Sequence, residues 1–223
     1  MSTRTESNKN TAATLILVVG GSASGKTSVV EELQRLLSPH GGCVVFSTDS
    51  FYKTGSAATN FDVPSSTDEP LIIEVVRRAM EGQELELPVY SFESHSRVGV
   101  ERRPAECHRF VILEGIFAMT AAVLEGLADY SPVTVFVDGG GYEELLRRRT
   151  ARDVAERGRT PESVLEAFNT RVWPAYLEFV APLLQRCSRV IANTRDKDSL
   201  RNTVRQFALE LAPETVHPLG LDH

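Results

Sequence analysis

The chain has 223 residues, of which 42% are apolar and 24% charged, and its formal net charge is −6 at pH 7. This length is typical of one α/β domain with a buried core, and the acidic balance argues against a general nucleic-acid-binding protein. The polar first residues lack the apolar core of a signal peptide, and no run approaches the ~20 apolar residues of a membrane span. We therefore expect a soluble protein that binds neither nucleic acid nor a membrane.

The three cysteines, Cys43, Cys107 and Cys187, are widely separated and form no Cys-x-x-Cys pair. This usage is typical of reduced thiols in a cytoplasmic protein. Polar composition predicts a disordered N-terminal tail over residues 1–12 and a C-terminal tail over residues 213–223. A single domain is expected over residues 13–212.

The first motif follows an apolar strand pattern over Thr14–Val19. Residues 20–27 read Gly-Gly-Ser-Ala-Ser-Gly-Lys-Thr, the pattern of a phosphate-binding loop (P-loop). In such loops backbone N–H groups surround the phosphates, the lysine (Lys26) reaches the β- and γ-phosphates, and the last hydroxyl (Thr27) binds magnesium. Helical spacing over residues 27–37 predicts a helix whose N-terminal dipole points at the phosphates. The predicted ATP-binding residues of the loop are Gly20, Gly21, Ser22, Ala23, Ser24, Gly25, Lys26 and Thr27.

Further along the chain, apolar runs alternate with helical patterns. Together with Thr14–Val19, they predict a doubly wound, five-stranded parallel sheet with helices on both faces, which is the α/β fold of a P-loop NTPase. We also expect Trp173 in the core, next to a helix that begins at Pro174. The other predicted strands are 43–46, 109–115, Val133–Asp138 and Arg189–Ala192, and the helices are 71–80, 142–156 and 199–211.

Two segments are predicted to lie over the cleft. The region that follows Ser50, up to Pro70, is rich in Ser, Thr, Asn, Asp and Pro, which is typical of an irregular binding loop. Polar and apolar residues alternate from Glu84 to Phe92, which predicts one strand of a small β-hairpin insertion over about residues 84–102.

Carboxylates follow two of the predicted strands, where ligands gather in open α/β sheets. A kinase acting on an alcohol needs a base, magnesium ligands and cations over the transferred phosphoryl group. Asp49 is the candidate base, Thr27, Asp49 and Glu114 are candidate magnesium ligands, and an Arg-rich lid is predicted over about residues 147–160. The alternative structural roles are a turn cap for Asp49, a salt bridge for Glu114 and a solvated helix face for the arginines.

Six segments in order along the chain resemble the motifs of uridine-cytidine kinases, within the uridine kinase/phosphoribulokinase-like P-loop kinases. The likeness runs from about residue 15 to residue 191, and the fourth and sixth segments are far more specific than the P-loop. The segments are 20–27 (the P-loop), Asp49-Ser50-Phe51-Tyr52-Lys53, Asn60-Phe61-Asp62, Pro88-Val89-Tyr90-Ser91-Phe92-Glu93-Ser94-His95-Ser96-Arg97, Glu114-Gly115-Ile116 and Arg152-Asp153-Val154-Ala155-Glu156-Arg157-Gly158-Arg159.

The resemblance implies that ATP phosphorylates the 5′-hydroxyl of uridine or cytidine, with Mg²⁺, in pyrimidine salvage. It implies a base role for Asp49 and a ribose-hydroxyl ligand in Asp62, since a carboxylate accepts two hydrogen bonds from a vicinal diol. It also suggests a homo-oligomer. The implied base pocket is Tyr52, Phe61, Tyr90, Phe92 and His95; Arg149 and Arg152 reach the acceptor, Arg157 and Arg159 reach ATP, and Lys26, Asp49, Arg152 and Arg157 form the catalytic set.

Departures from the family pattern keep other acceptors open. Ala167 stands where the family commonly has Gln, Val63 begins a segment without the usual His and Phe, and Ala192-Asn193 replaces Ile-Pro. The alternatives are a kinase of the same superfamily acting on nicotinamide riboside, pantothenate or phosphoribulose, and a GTP-dependent switch. The switch rests on Asp-Gly-Gly-Gly at 138–141 and Asn-Thr-Arg-Asp at 193–196, short patterns that arise easily by chance.

Overall fold

The computed structural model describes residues 13–56, 59–194 and 196–213. The tail predicted for residues 1–12 lies outside the described residues, as does the C-terminal tail from residue 214 onward. Within the described ranges, no helix combines the length and apolar character needed to cross a membrane.

The sheet contains five strands that are all parallel, in the order β2-β5-β1-β6-β7. The predicted doubly wound parallel sheet is therefore confirmed, and β1 lies at its centre. Two further strands, β3 and β4, form a separate hairpin. The strands in chain order are β1 (Thr14–Val19), β2 (Cys43–Ser47), β3 (Leu85–Ser91), β4 (Ser96–Arg103), β5 (Phe110–Glu114), β6 (Val133–Asp138) and β7 (Arg189–Ala192).

Capping side chains account for where several helices begin. Asp68 accepts a hydrogen bond from the Leu71 N–H and Asp196 accepts one from the Ser199 N–H, so both helices begin two residues earlier than predicted. The helices are α1 (Lys26–Leu37), α2 (Glu69–Met80), α3 (Ala121–Gly126), α4 (Tyr142–Arg157), α5 (Pro161–Ala167), α6 (Trp173–Ala175) and α7 (Lys197–Leu211).

The core has two parts because side chains of a strand alternate between the faces of a sheet. Ile16 and Val18 of β1 face a cluster that includes residues of α1 and α7. Leu15 and Leu17 face the opposite cluster, which includes residues of α2 and α3. Helices thus cover both faces, and the carboxyl edge of the sheet stays open for a ligand.

The prediction of a helix that begins at Pro174 is wrong. Helical structure already begins at Pro161, with Thr160 as its cap, and the π-helical segments Phe168–Val172 and Tyr176–Val180 flank α6. Proline lacks an N–H and disturbs a regular helix, and wide turns are one way for a chain to pass it. Trp173 is half-buried and not fully in the core; it stacks on Tyr176 with ring centroids 5.0 Å apart.

The predicted hairpin is present as antiparallel β3 and β4. Leu85 and Leu87 fix its base because they are buried in the larger core cluster. Arg97 fixes its upper part: Nη2 donates to the Phe51 carbonyl at 3.2 Å and to Asp68 Oδ2 at 3.0 Å. The hairpin is therefore held beside the segment that follows β2.

Candidate active site

The strand register brings the predicted carboxylates to the P-loop. Glu114, the last residue of β5, is the register partner of Val18 in β1 and of Ser47 in β2. Asp49 lies two residues beyond Ser47, in a short 3₁₀ turn. Because all these strands are parallel, the three chain segments open into one cavity of about 700 Å³.

The P-loop has the conformation that a phosphate site requires. Gly25, the N-cap of α1, has a φ of 95°, a left-handed conformation in which glycine carries no side-chain penalty. The Lys26 Nζ donates to the carbonyl oxygens of Gly20 and Gly21 at 3.0 and 2.9 Å. Burial lowers the pKa of Lys26, and the nearby Glu114 and Asp49 carboxylates oppose that shift. The lysine is thus folded onto its own loop beside two carboxylates.

Asp49 and Glu114 are half-buried carboxylic residues on the lining of the cavity. Burial raises the pKa of both, while Lys26 acts in the opposite direction on each. The side chain of Ser47 also bonds Glu114 and favours its ionised form. Two neighbouring carboxylates and the Thr27 hydroxyl are the hard oxygen ligands that Mg²⁺ accepts.

The donor set suits a metal that keeps other ligands. No group of three or more His, Cys, Asp or Glu side chains with metal-binding geometry occurs in the described part of the chain. Mg²⁺ is usually held by one or two carboxylates together with waters and substrate phosphates. The residues present therefore fit Mg²⁺ bound jointly by protein and substrate.

An aromatic recess forms the end of the cavity under the hairpin. The Tyr52 ring centroid lies 5.4 Å from that of Phe61 and 5.6 Å from that of Tyr90. Phe92 lies 5.3 Å from Tyr90, and His95 stacks on Phe61 with centroids 5.3 Å apart. The five predicted base-pocket residues are therefore brought together, and flat apolar walls of this kind favour a planar ring.

Asp62 lies at the same end of the cavity. Burial raises the pKa of its carboxyl group, and the guanidinium groups of Arg149, Arg171 and Arg159 counteract that shift. Asp49 adds a smaller unfavourable charge. A carboxylate held among arginines beside an aromatic recess can bind hydroxyl groups of an acceptor.

Four arginines converge on one carboxylate at the C-terminal end of α4. Asp153 is fully buried (0% side-chain exposure), and Arg152 Nη2 reaches Asp153 Oδ1 at 2.7 Å. Arg149 Nη1 also donates to Ser22 Oγ at 2.6 Å, which ties α4 to the P-loop. The other ion pairs of Asp153 involve Arg149 at 3.4 Å, Arg157 at 3.7 Å and Arg159 at 3.8 Å.

Most residues predicted for the site do line the cavity; their individual roles stay predictions. Gly20, Gly21 and Ser24 of the P-loop lie behind the lining, and Gly21 borders a small adjoining pocket. The predicted residues on the lining are Ser22, Ala23, Gly25, Lys26, Thr27, Asp49, Tyr52, Phe61, Asp62, Tyr90, Phe92, His95, Glu114, Arg149, Arg152, Arg157 and Arg159.

Sequence reasoning assigned no role in a kinase site to Asp153, Arg171 or Asn193. The spacing of Arg149, Asp153 and Arg157 at four-residue intervals could have indicated Asp153, since such residues share a helix face. Arg171 follows Ala167 by four residues in the same way, and both line the cavity. Asn193 Nδ2 donates to the Ser24 carbonyl of the P-loop, and nothing in the sequence indicates this contact because it joins residues that are far apart in the chain.

A five-stranded parallel sheet with a P-loop at the central strand, carboxylates at neighbouring strand ends and an arginine-rich helix is the architecture of the P-loop kinases. Phosphoribulokinase from Rhodobacter spheroides shares the fold, with a TM-score of 0.57 at 17% identity over 83% of this chain and 72% of that one.

Residues 15–199 match the Phosphoribulokinase / Uridine kinase family, and the chain belongs to this family. It is 37% identical over 196 residues to uridine kinase of Pasteurella multocida, covering 83% of this chain and 88% of that protein. It is 35% identical over 187 residues to uridine-cytidine kinase A of Dictyostelium discoideum, covering 82% of this chain and 36% of that longer protein.

Proposed function

We propose that the protein transfers the γ-phosphoryl group of ATP to the 5′-hydroxyl of uridine or cytidine, giving the nucleoside monophosphate and ADP. The observation that carries this proposal is that a single cavity joins the P-loop to an aromatic recess, with Asp49 on its lining. A nucleoside in the recess would direct its sugar toward Asp49 and the phosphates. The names of the two relatives support the same acceptor class.

The acceptor end favours a nucleoside over a sugar phosphate. Tyr52, Phe61 and His95 provide flat surfaces for a pyrimidine ring, and Asp62 provides oxygen acceptors for the ribose diol. A sugar-phosphate acceptor would require additional cations in place of the aromatic walls.

In the proposed reaction Asp49 accepts the proton of the 5′-hydroxyl while the hydroxyl oxygen bonds to the γ-phosphorus. The bond between the γ-phosphorus and the β,γ-bridging oxygen breaks, and ADP leaves. Lys26 leaves the loop carbonyls for the β- and γ-phosphates. Thr27, Asp49 and Glu114 would hold Mg²⁺, which when bound neutralises charge on the phosphate oxygens.

The arginines of α4 supply the remaining positive charge. Arg152 and Arg157 lie on the cavity lining with Asp49, and the charges of both lower the pKa of Asp49 against the effect of burial. Guanidinium groups bind phosphate oxygens through paired N–H donors, which suits the charge spread over a transferred phosphoryl group. Arg159 and Arg149 extend this positive surface toward the triphosphate and the acceptor sugar.

We place the enzyme in the cytoplasm, in pyrimidine salvage, in keeping with its three free cysteines. The test is ADP release by the purified protein with ATP and Mg²⁺ against uridine, cytidine, 2′-deoxycytidine, adenosine, nicotinamide riboside, pantothenate and ribulose 5-phosphate. We expect turnover with uridine or cytidine and little with the other acceptors. Turnover confined to a non-pyrimidine acceptor would overturn the acceptor assignment and retain the phosphoryl transfer.

A further inference from the structure

Asn193 connects the last strand of the sheet to the P-loop. It directly follows β7, and its backbone N–H donates to the Asp138 carbonyl at 2.7 Å, which fixes its place next to β6. From there its side-chain Nδ2 donates to the Ser24 carbonyl oxygen at 2.8 Å. This hydrogen bond joins Asn193 to a peptide group of the P-loop that lies 169 positions earlier in the chain.

That peptide group determines where a phosphate-binding N–H points. In a trans peptide the C=O and the following N–H point in opposite directions. Because Asn193 holds the Ser24 carbonyl on the side of β7, the Gly25 N–H faces away from β7. Gly25 lines the cavity, and backbone N–H groups of a P-loop are donors to phosphate oxygens, so the orientation of this N–H bears on phosphate binding.

The side chain of Asn193 also packs closely against Gly25. A Cβ added to Gly25 would lie 2.1 Å from Asn193 Nδ2, which no real contact allows. The amide of Asn193 therefore occupies the space that a larger residue at position 25 would fill. The hydrogen bond and the packing act on the same peptide group.

The backbone of Asn193 contacts a second component of the site. Arg148 Nη2 donates to the Asn193 carbonyl at 2.6 Å, and Arg148 Nε donates to Glu144 Oε1 at 2.6 Å. Arg148 lies on α4 and lines the cavity. Asn193 therefore bonds both the P-loop and the helix that carries the lid arginines.

We propose that Asn193 is a positioning residue for the phosphate donor. It does not line the cavity and acts through Ser24 and Gly25, whose orientation it fixes. This inference rests on the proposed binding of a nucleoside triphosphate at the P-loop and is independent of the acceptor's identity. Without the amide donor, the Gly25 N–H is less often oriented for the phosphate, and ATP binding weakens while acceptor binding does not.

The test compares Asn193→Ala and Asn193→Asp with the parent protein. One hydrogen bond of ordinary strength corresponds to about 5- to 10-fold in the ATP dissociation constant and in the KM for ATP. Asn193→Asp has the same shape, but an ionised carboxylate cannot donate to the Ser24 carbonyl and repels it. We therefore expect a larger loss of ATP affinity for Asn193→Asp than for Asn193→Ala, with the KM for uridine unchanged in both.

Thr194→Ala is the matched control because Thr194 is the exposed neighbour of Asn193. Titration calorimetry with ATP and Mg²⁺ tests donor binding even if the protein turns over none of the proposed acceptors, so failure of the acceptor assignment can be recognised separately. Equal affinity for ATP in Asn193→Asp and the parent protein would overturn the proposal. So would a parallel rise in the KM of both substrates accompanied by a lower free energy of unfolding, since that is the result of a purely structural role.

Discussion

Arg152 donates two hydrogen bonds to Asp153 Oδ1, through Nε at 2.9 Å and Nη2 at 2.7 Å, although the two residues are adjacent in α4. The pairing places the guanidinium of Arg152 beside the buried carboxylate. Since Arg149, Arg157 and Arg159 surround the same carboxylate, one negative charge organises a cluster that would otherwise repel itself. The net positive charge of that cluster faces the cavity.

Replacing Asp153 with Asn should disorder the arginine cluster. We expect the free energy of unfolding to fall by about 2–3 kcal/mol, less than for a fully buried ion pair because several of the arginines reach solvent. The measurement is urea denaturation, with kcat determined in parallel, and kcat should fall because the arginines lose their fixed positions. Glu166→Gln, which removes an exposed carboxylate from α5, is the control. Equal losses in both variants would contradict the role of Asp153.

Asp49→Asn should separate binding from chemistry. The amide keeps the shape of the side chain but cannot accept the proton of the acceptor hydroxyl, so we expect kcat to fall by ~100-fold or more. ATP affinity, measured by calorimetry, should be nearly unchanged because the P-loop contacts remain, as do Thr27 and Glu114, the other two candidate magnesium ligands. Full activity in this variant would exclude Asp49 as the base.

The same substitution should raise stability near neutral pH. Burial raises the pKa of the Asp49 carboxyl above its ordinary value of 3.8, so the folded protein holds this proton more tightly than the unfolded chain does. The contribution of Asp49 to the free energy of unfolding therefore decreases as the pH rises from 3.8 through the raised pKa of the folded protein. In urea denaturation we expect the Asp49→Asn variant to be more stable than the parent at pH 7, with the difference shrinking as the pH falls toward 3.8 and absent below it. A difference that grows on acidification would contradict the sign of this shift.

Asp62→Asn should weaken the distinction between ribose and 2′-deoxyribose. An ionised carboxylate accepts hydrogen bonds from both hydroxyls of a vicinal diol, whereas the amide has one acceptor oxygen. We expect the ratio of kcat/KM for uridine to that for 2′-deoxyuridine to fall about 10-fold or more. Glu93→Gln, at the exposed tip of the hairpin, should leave the ratio unchanged. An unaltered ratio in Asp62→Asn would show that Asp62 does not bind the ribose hydroxyls.

Arg171→Ala should change the pH dependence of acceptor use. Arg171 is among the arginines that counteract the burial of Asp62; Arg149 and Arg159 act in the same direction, and Asp49 opposes them. Without Arg171 the pKa of Asp62 rises further, so the carboxylate takes up its proton at higher pH. We expect the KM for uridine to increase as the pH falls, beginning at a higher pH than in the parent protein. Arg186→Ala, an exposed arginine outside the cavity, should retain the parent profile.

The alternation of apolar runs and helical patterns was sufficient to predict the five strands and most helices. The order of the strands was not predictable, because which strands become neighbours depends on crossover connections and not on local pattern. Helix α3 (Ala121–Gly126) has six residues, too few for a periodic pattern to stand out. Pro174 was interpreted as a helix start because proline favours that position, and the wide turns on either side of it have no recognised sequence signal.

The P-loop, Asp49 and Glu114 lie together because their segments end neighbouring parallel strands and therefore meet at one edge of the sheet. The residues that sequence analysis missed affect the site by positioning other residues. The four-residue spacing of Arg149, Asp153 and Arg157 indicates a shared helix face, but this run has the composition of a solvated face, so the burial of Asp153 could not be predicted from the sequence. Asn193 replaces a family residue without matching any kinase motif, and its contact with Ser24 exists only in the folded chain.

The aromatic contacts of Trp173 provide an optical reporter. It is the chain's single tryptophan, and besides stacking on Tyr176 it meets the ring of Tyr142, the first residue of α4, edge-on at 5.2 Å. Indole fluorescence depends on the rings and solvent around it, so a shift of α4 against the helical segment 161–185 would alter emission. Stopped-flow fluorescence of the unlabelled protein could therefore follow movement of the arginine-bearing helix as each substrate binds.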